Sequence, residues 1–137
     1  MRLFLFLFTL IGVLNTYAGI IQPSEKILLV TVDETGNIKV NNDPVGSDYL
    51  ANYIQERLFK SYMGTGEMHS RIKLEKLSVS VPDLVTEIVV KEIKDGQKKA
   101  LVSVCLLKYN KLFDGLDKKK QDKLLKQFPV LFQTDYL

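Results

Sequence analysis

The sequence predicts an α+β domain, a small mixed or antiparallel sheet with two to three helices packed on one face. Segments with the two-residue alternation of strands occur beside segments in which apolar residues recur every three or four positions, as in helices. Hydrophobic and charged fractions of 46% and 26% are ordinary for a globular protein. A chain of 137 residues suffices for one domain with a modest core.

The N-terminal segment is typical of a secretory signal peptide. Arg2 is followed by an apolar run, Leu3 to Leu14. The small residues Thr16 and Ala18 fit the −3 and −1 positions of a cleavage site. We therefore predict a signal peptide over residues 1–18 that is removed on export.

An uncleaved anchor is the alternative interpretation of the same segment. No charged residue lies between Arg2 and Glu25. About 20 apolar residues are enough to cross a bilayer. In that case residues 3–22 would hold the protein in a membrane. With either interpretation the domain over residues 26–137 is exported.

A β-hairpin is the clearest element of the domain. Alternating apolar and β-branched residues over Leu28–Val32 predict its first strand. A turn at Asp33–Asn37, where Gly36 can adopt a positive φ, leads to a second strand over Ile38–Val40. The segment Asn41–Pro44 is expected to end it.

The first helix is predicted to begin at Ser47, because serine is a good N-cap. Apolar residues then recur at three- and four-residue steps over about four turns. The glycines Gly64 and Gly66 are expected to end the helix. The residues of its apolar face are Leu50, Tyr53, Ile54, Leu58 and Tyr62.

The next segment, residues 71–81, predicts an antiparallel or edge strand with one buried face. Apolar residues alternate first with charged residues and then with serines. The alternation changes phase between Leu74 and Leu77, which predicts a bulge or bend near Glu75 and Lys76.

Two structures fit the segment from Pro82 to Gly96. A helix would begin at Pro82 and stop at Gly96, whereas a strand would use the β-branched run 86–90 and turn at Asp95 and Gly96. The apolar positions fit a 3.6-residue period better, so we favour a helix over residues 84–94. These positions are Leu84, Val85, Ile88, Val89 and Ile93.

Three elements are predicted for the C-terminal third. The apolar run Ala100–Leu106 predicts a strand at the centre of the sheet. Asp117 predicts the N-cap of a helix that Pro129 stops. The apolar tail forms either the last strand of the sheet or an edge that pairs with another chain. Its residues, which are the predicted partner interface, are Val130, Leu131 and Phe132.

No catalytic, metal or cofactor site is predicted. His69 is the only histidine and is interpreted as a surface residue. Cys105 is the only cysteine, so the chain has no internal disulfide, and a small buried hydrophobe is the expected role. The lysine run 118–120 could contact phosphates or acidic lipids, but it is interpreted as a solvated helix face. Because no aromatic residues interrupt it, no nucleic-acid partner is predicted.

Several of these segments are similar to one known family. The hairpin Thr31–Val45 contains the pattern V-N-x-x-P-V before the first helix, and Lys99–Val104 corresponds to a central strand. The end, Leu116–Phe132, is similar to a C-terminal extension found in Bacteroidetes proteins. In these features the chain resembles the periplasmic domain of the ExbD/TolR biopolymer-transport family.

The resemblance implies a periplasmic protein-interaction module that is not an enzyme. Such proteins form homodimers beside an ExbB-like motor subunit and couple the proton gradient to a TonB-like protein that serves outer-membrane transporters. The family's membrane helix carries an acidic residue, but no acidic residue occurs between Met1 and Pro23. The resemblance therefore implies the binding module without the proton-carrying anchor, with inner-membrane association only if residues 3–22 are kept.

The alternative hypothesis is a secreted protein that binds a small molecule or a surface polymer. Tyr49, Tyr53 or Tyr62 would then line a cleft. Because these tyrosines also lie at the spacing of a helix core, packing is the expected role for them.

Overall fold

The computed structural model describes residues 26–64 and 69–136. The predicted signal peptide and the alternative anchor fall on residues 1–25, so both lie outside the described residues. In chain order the strands and α-helices are β1 (Ile27–Val32), β2 (Ile38–Val40), β3 (Asp43–Val45), α1 (Leu50–Tyr62), β4 (Arg71–Lys76), α2 (Asp83–Tyr109) and α3 (Lys118–Gln127). Short 3-10 helices, Phe113–Gly115 and Pro129–Phe132, flank α3. The predicted α+β class is confirmed.

The four strands form one mixed sheet in the order β3-β2-β1-β4. The central strand β1 pairs antiparallel with β2, where Val30 lies opposite Val40. It pairs parallel with β4, where Val30 lies opposite Leu74. A parallel pair needs a crossover connection, which β2, β3 and α1 provide. The predicted edge strand is therefore found at β4.

The turn after β1 is built around one carboxylate. Asp33 accepts hydrogen bonds from the backbone N–H groups of Thr35 and Asn37, both at 2.9 Å. The Thr35 hydroxyl also donates to it at 2.7 Å. These hydrogen bonds favour the ionised form and lower the pKa of Asp33 to about 2. The predicted hairpin turn is thus held by side-chain contacts as well as by the glycine.

The segment predicted to end the hairpin forms a second turn and a third strand instead. Asn41 and Asn42 have φ angles of 48° and 72°, which suit the tight two-residue turn between β2 and β3. Asn41 also bonds to Leu29 in β1 through its backbone N–H and its side-chain oxygen, at 2.8 and 2.9 Å. Pro44 lies in β3 at the edge of the sheet, the place where a strand tolerates proline.

Helix α2 is a continuous element of 27 residues. The helix favoured over residues 84–94 is confirmed, but the stop expected at Gly96 is wrong because the helix continues through it. The turn at Asp95 and Gly96 in the strand alternative is not formed. The predicted central strand Ala100–Leu106 is wrong, because these residues form the second half of α2. Ala100 and Cys105 are buried in the core all the same. An unbroken apolar run is compatible with a helix packed against a neighbouring helix as well as with a central strand.

The close approach of α1 and α2 explains the glycine inside the long helix. A Cβ atom at Gly96 would lie 2.7 Å from the carbonyl oxygen of Ala51 and from the Cβ of Ile54. Farther along, Lys99 donates to Asn52 at 3.0 Å and Gln55 donates to Ser103 at 3.1 Å. The two helices therefore run side by side in the same direction.

The predicted strand 71–81 is shorter than expected, since β4 ends at Lys76. The chain then enters a loop in which only Val81 of the predicted apolar positions is buried. Residues of the sheet's inner face pack with α1 and α2 into one core. This core includes Leu28, Val30, Val32, Ile72, Leu74, Leu50, Ile54, Leu58, Val89 and Ile93.

Candidate functional site

The two residues with reactive side chains singled out in the sequence are both buried. His69 is only 6% exposed, so its interpretation as a surface residue is wrong. Cys105 is fully buried, and burial raises the pKa of its thiol, which agrees with the expected role of a small hydrophobe. Across residues 26–64 and 69–136, no three His, Cys, Asp or Glu side chains lie close enough together to hold a metal ion.

The predicted partner interface lies in the 3-10 helix Pro129–Phe132. The alternative in which this tail forms the last strand of the sheet is therefore wrong. Val130 and Leu131 are only 5% and 7% exposed and belong to the core of the chain itself. Phe132 is half-buried and packs on Phe113, with the ring centroids 5.2 Å apart. Contact with a partner stays a prediction, and in this conformation Phe132 has the most surface to offer for it.

A side chain that follows the tail forms hydrogen bonds with the outer edge of β4. The amide of Gln133 accepts a hydrogen bond from the Ile72 N–H and donates one to the Ile72 carbonyl, both at 2.8 Å. These are the two bonds that a residue of a neighbouring strand would make. Gln133 thus stands in for a strand at this position and protects an otherwise open edge.

A buried glutamine on α2 holds the tail in this position. The Gln97 side chain donates to the backbone oxygens of Val130 and Gln133, at 2.5 and 3.1 Å, and its own oxygen accepts from the Tyr136 hydroxyl. Burial raises the pKa of Tyr136 to about 12. We call Gln97, Gln133 and Tyr136 the tail clasp. Nothing in the sequence distinguishes Gln97 from the polar residues around it, so the clasp could not be predicted.

An exposed apolar surface lies where β4 is joined to α2. Leu77, Val79, Leu84 and Ile88 are 59%, 100%, 67% and 46% exposed. They come from one segment of twelve residues whose loop is closed by an ion pair of 3.9 Å between Lys76 and Asp83. We call these four residues the apolar corner.

The sequence pattern assigned the apolar corner to the core. Leu77 and Val79 were expected on the buried face of a strand, and Leu84 and Ile88 on the inner face of a helix. Of the same predicted faces, the structure buries Val81, Val89 and Ile93. The serines and Pro82 around Val79 are typical of a loop. They indicate in the sequence that the alternating segment around Val79 is not a strand.

The three tyrosines of the alternative hypothesis make separate contacts. Tyr49 donates to Glu56 at 2.8 Å. Tyr53 donates to Asp43 at 3.1 Å, and Arg57 lies over its ring, 5.0 Å from the centroid. The third, Tyr62, packs edge-on against Phe128 with 5.0 Å between centroids. Each has a local structural role, and a ligand cleft lined by them stays a prediction.

A search of the described residues for a helix both long and apolar enough to cross a membrane finds none. The chain matches no protein-family model, and comparison with curated proteins gives no significant match.

Proposed function

We propose that this protein is a non-enzymatic periplasmic module that binds other proteins. It acts in TonB-type energy transduction, as the resemblance to ExbD/TolR periplasmic domains implies, and forms a homodimer beside an ExbB-like motor subunit and a TonB-like protein. The resemblance suggests these partners, and the apolar corner is the observation that supports protein binding.

The apolar corner is suited to contact with another protein. Val79 is fully exposed, and three more large apolar side chains lie within nine residues of it. Exposed apolar groups that cluster on a domain surface commonly mark an interaction site. These four come from one segment of twelve residues. Burying one exposed Val, Leu or Ile side chain contributes about 1.5–3 kcal/mol. Since association costs about 4–15 kcal/mol, four such residues suit a reversible contact.

Co-purification from an envelope fraction tests the proposal. We expect the tagged full-length protein to recover a motor subunit or a TonB-like protein. The double substitution Val79→Asp and Leu84→Asp should reduce the recovery at least tenfold, because it places two charges in a surface that must be desolvated.

The matched control is Leu125→Asp, an apolar-to-acidic change at an exposed position of α3. It should leave the recovery unchanged, and urea unfolding should show that all three proteins are folded. Recovery of neither partner by the unsubstituted protein would contradict the proposed function. Equal recovery by the unsubstituted protein and the double variant would place the contact elsewhere.

A further inference from the structure

The positive charge of the domain is concentrated near its C-terminal end. Residues 108–127 contain seven lysines and three aspartates. The remainder of residues 26–136 contains eleven basic and twelve acidic residues and is nearly neutral. The excess of positive charge therefore belongs to the end of α2, to α3 and to the loop between them.

Three of these lysines form a row on α3. Lys119, Lys123 and Lys126 are exposed and lie four and three residues apart, on the side of the helix opposite the fully buried Leu124. We call these three residues the lysine face. The ion pairs seen on this helix use other lysines, Lys118 with Asp122 at 2.8 Å and Lys120 with Asp117 at 2.9 Å. Within the part of the chain that the structure describes, the three charges of the lysine face are available to a partner.

Further lysines extend the basic surface toward α2. The ammonium groups of Lys108 and Lys120 lie over the ring of Tyr109, at 5.5 and 5.7 Å from its centroid. Tyr109 is the last residue of α2 and Lys120 is in the first turn of α3. This contact joins the charges of the two helices into one continuous region.

The lysine face belongs to the end of the molecule at which the N-terminal segment joins. Lys26 leads into β1, and Leu28 of β1 lies opposite Ile72 of β4. Gln133 binds Ile72 six residues after the end of α3. Phe128, the C-cap of α3, packs on Tyr62 at the end of α1, the helix that leads back to β4. Lys26, at which residues 1–25 join the described domain, therefore lies at the same end of the domain as the C-terminal end of α3.

We propose that the lysine face docks on the anionic phospholipid headgroups of a membrane. The charge favours an anionic partner. In the form of the protein that keeps residues 3–22 as an anchor, the apolar segment joins the domain at the same end, which favours a bilayer over a soluble acidic protein. Each lysine near an anionic bilayer strengthens binding about five-fold, so the row of three provides about a hundred-fold. This surface is separate from the apolar corner, so a membrane and a protein partner can be bound together.

The experiment measures, by fluorescence quenching, how close the lysine face comes to lipid headgroups. The full-length chain carries a fluorophore at Gln127→Cys, beside the row, while the native Cys105 is buried and escapes labelling. Vesicles with nitroxide-labelled headgroups contain either 30 mol% phosphatidylglycerol or phosphatidylcholine alone. We expect stronger quenching with the anionic vesicles than with phosphatidylcholine alone. We expect this difference to fall steeply with added salt, because a Debye length is about 10 Å at 0.1 M.

Substitutions distinguish the effect of the lysine face from the effect of the overall positive charge. Lys119→Gln, Lys123→Gln and Lys126→Gln together should raise the lipid concentration for half-maximal quenching by about a hundred-fold, and Lys123→Gln alone by about five-fold. The control, Lys91→Gln, Lys94→Gln and Lys98→Gln, removes the same charge from exposed positions of α2 and should change little.

Three outcomes would overturn the proposal. These are equal quenching by both vesicle types, equal loss in the two triple variants, and loss in neither. Because the apolar N-terminal segment is present in every variant, its own insertion into lipid cannot produce the expected difference between them. Recovery of protein partners through the apolar corner is measured independently, so failure of one proposal leaves the other standing.

Discussion

Single residues decide where the two long helices meet and how the first turn is held. Gly96 lies at the contact between α1 and α2, where any larger side chain would meet backbone. Asp33 uses one carboxylate to fix the turn that sets the register of β1 and β2. In a sequence, glycine is ordinarily a helix stop and aspartate an ordinary turn residue. The expectation for glycine fails at Gly96 because the close packing of α1 and α2 overrides its local preference. The expectation for aspartate holds at Asp33.

Gly96→Ala should lower the free energy of unfolding by about 1–3 kcal/mol, the usual cost of overpacking a core. The added methyl group would lie 2.7 Å from the Ala51 carbonyl oxygen, which must move away. Urea unfolding measures the change. Gly115→Ala is the control, since its Cβ would meet nothing nearer than 4.0 Å. Greater stability in the Gly96 variant would show that the helices are not packed this closely.

The Asp33 turn should make the protein sensitive to acid. The pKa of Asp33 is lowered from 3.8 to about 2 by its hydrogen bonds, so its stabilising effect is complete above about pH 4 and declines as the pH falls toward 2. The midpoint of thermal unfolding, compared with that of Asp33→Asn across this range, measures the effect. The difference between the two proteins should narrow on acidification. A difference that stays constant from pH 5 to pH 2 would rule out this role.

At the scale of elements, the sheet has two edges that are protected differently. β3 is short and carries Pro44, which has no N–H to offer to another strand. At β4, the side chain of Gln133 takes the place of a neighbouring strand at Ile72. β1, β2, β4 and α1 were predictable because they follow simple periodicities. β3 was not, because its residues have the composition of a turn. The clasp was not, since its contacts join residues 61 positions apart.

Gln133→Ala should expose the β4 edge at Ile72. Loss of two hydrogen bonds to the backbone should lower the free energy of unfolding by about 1–2 kcal/mol. The amide of Ile72 should also exchange its hydrogen faster, as measured by NMR. Gln127→Ala, at an exposed position of α3, should change neither quantity. Unchanged exchange at Ile72 in the Gln133 variant would contradict the clasp.

At the scale of the whole molecule, the proposed contacts occupy different regions. The apolar corner lies at the start of α2, and the lysine face lies beyond its end. Length and periodicity predicted one α+β domain, yet they did not locate either region. Leu77 and Val79 have the pattern of a buried strand, but β4 ends at Lys76 and both side chains are exposed. The lysines were visible in the sequence, but their joining to α2 through Tyr109 depends on the tertiary fold.

The tail clasp also has a consequence for the order in which the protein is made. A ribosome synthesises Ile72 61 residues before it reaches Gln133, so the β4 edge stays open while this intervening segment is made. An open edge of this kind can pair with other chains and start aggregation. A chain cut after Phe132 would keep its strands and helices but lose Gln133. Such a fragment should be more prone to aggregate than the complete domain.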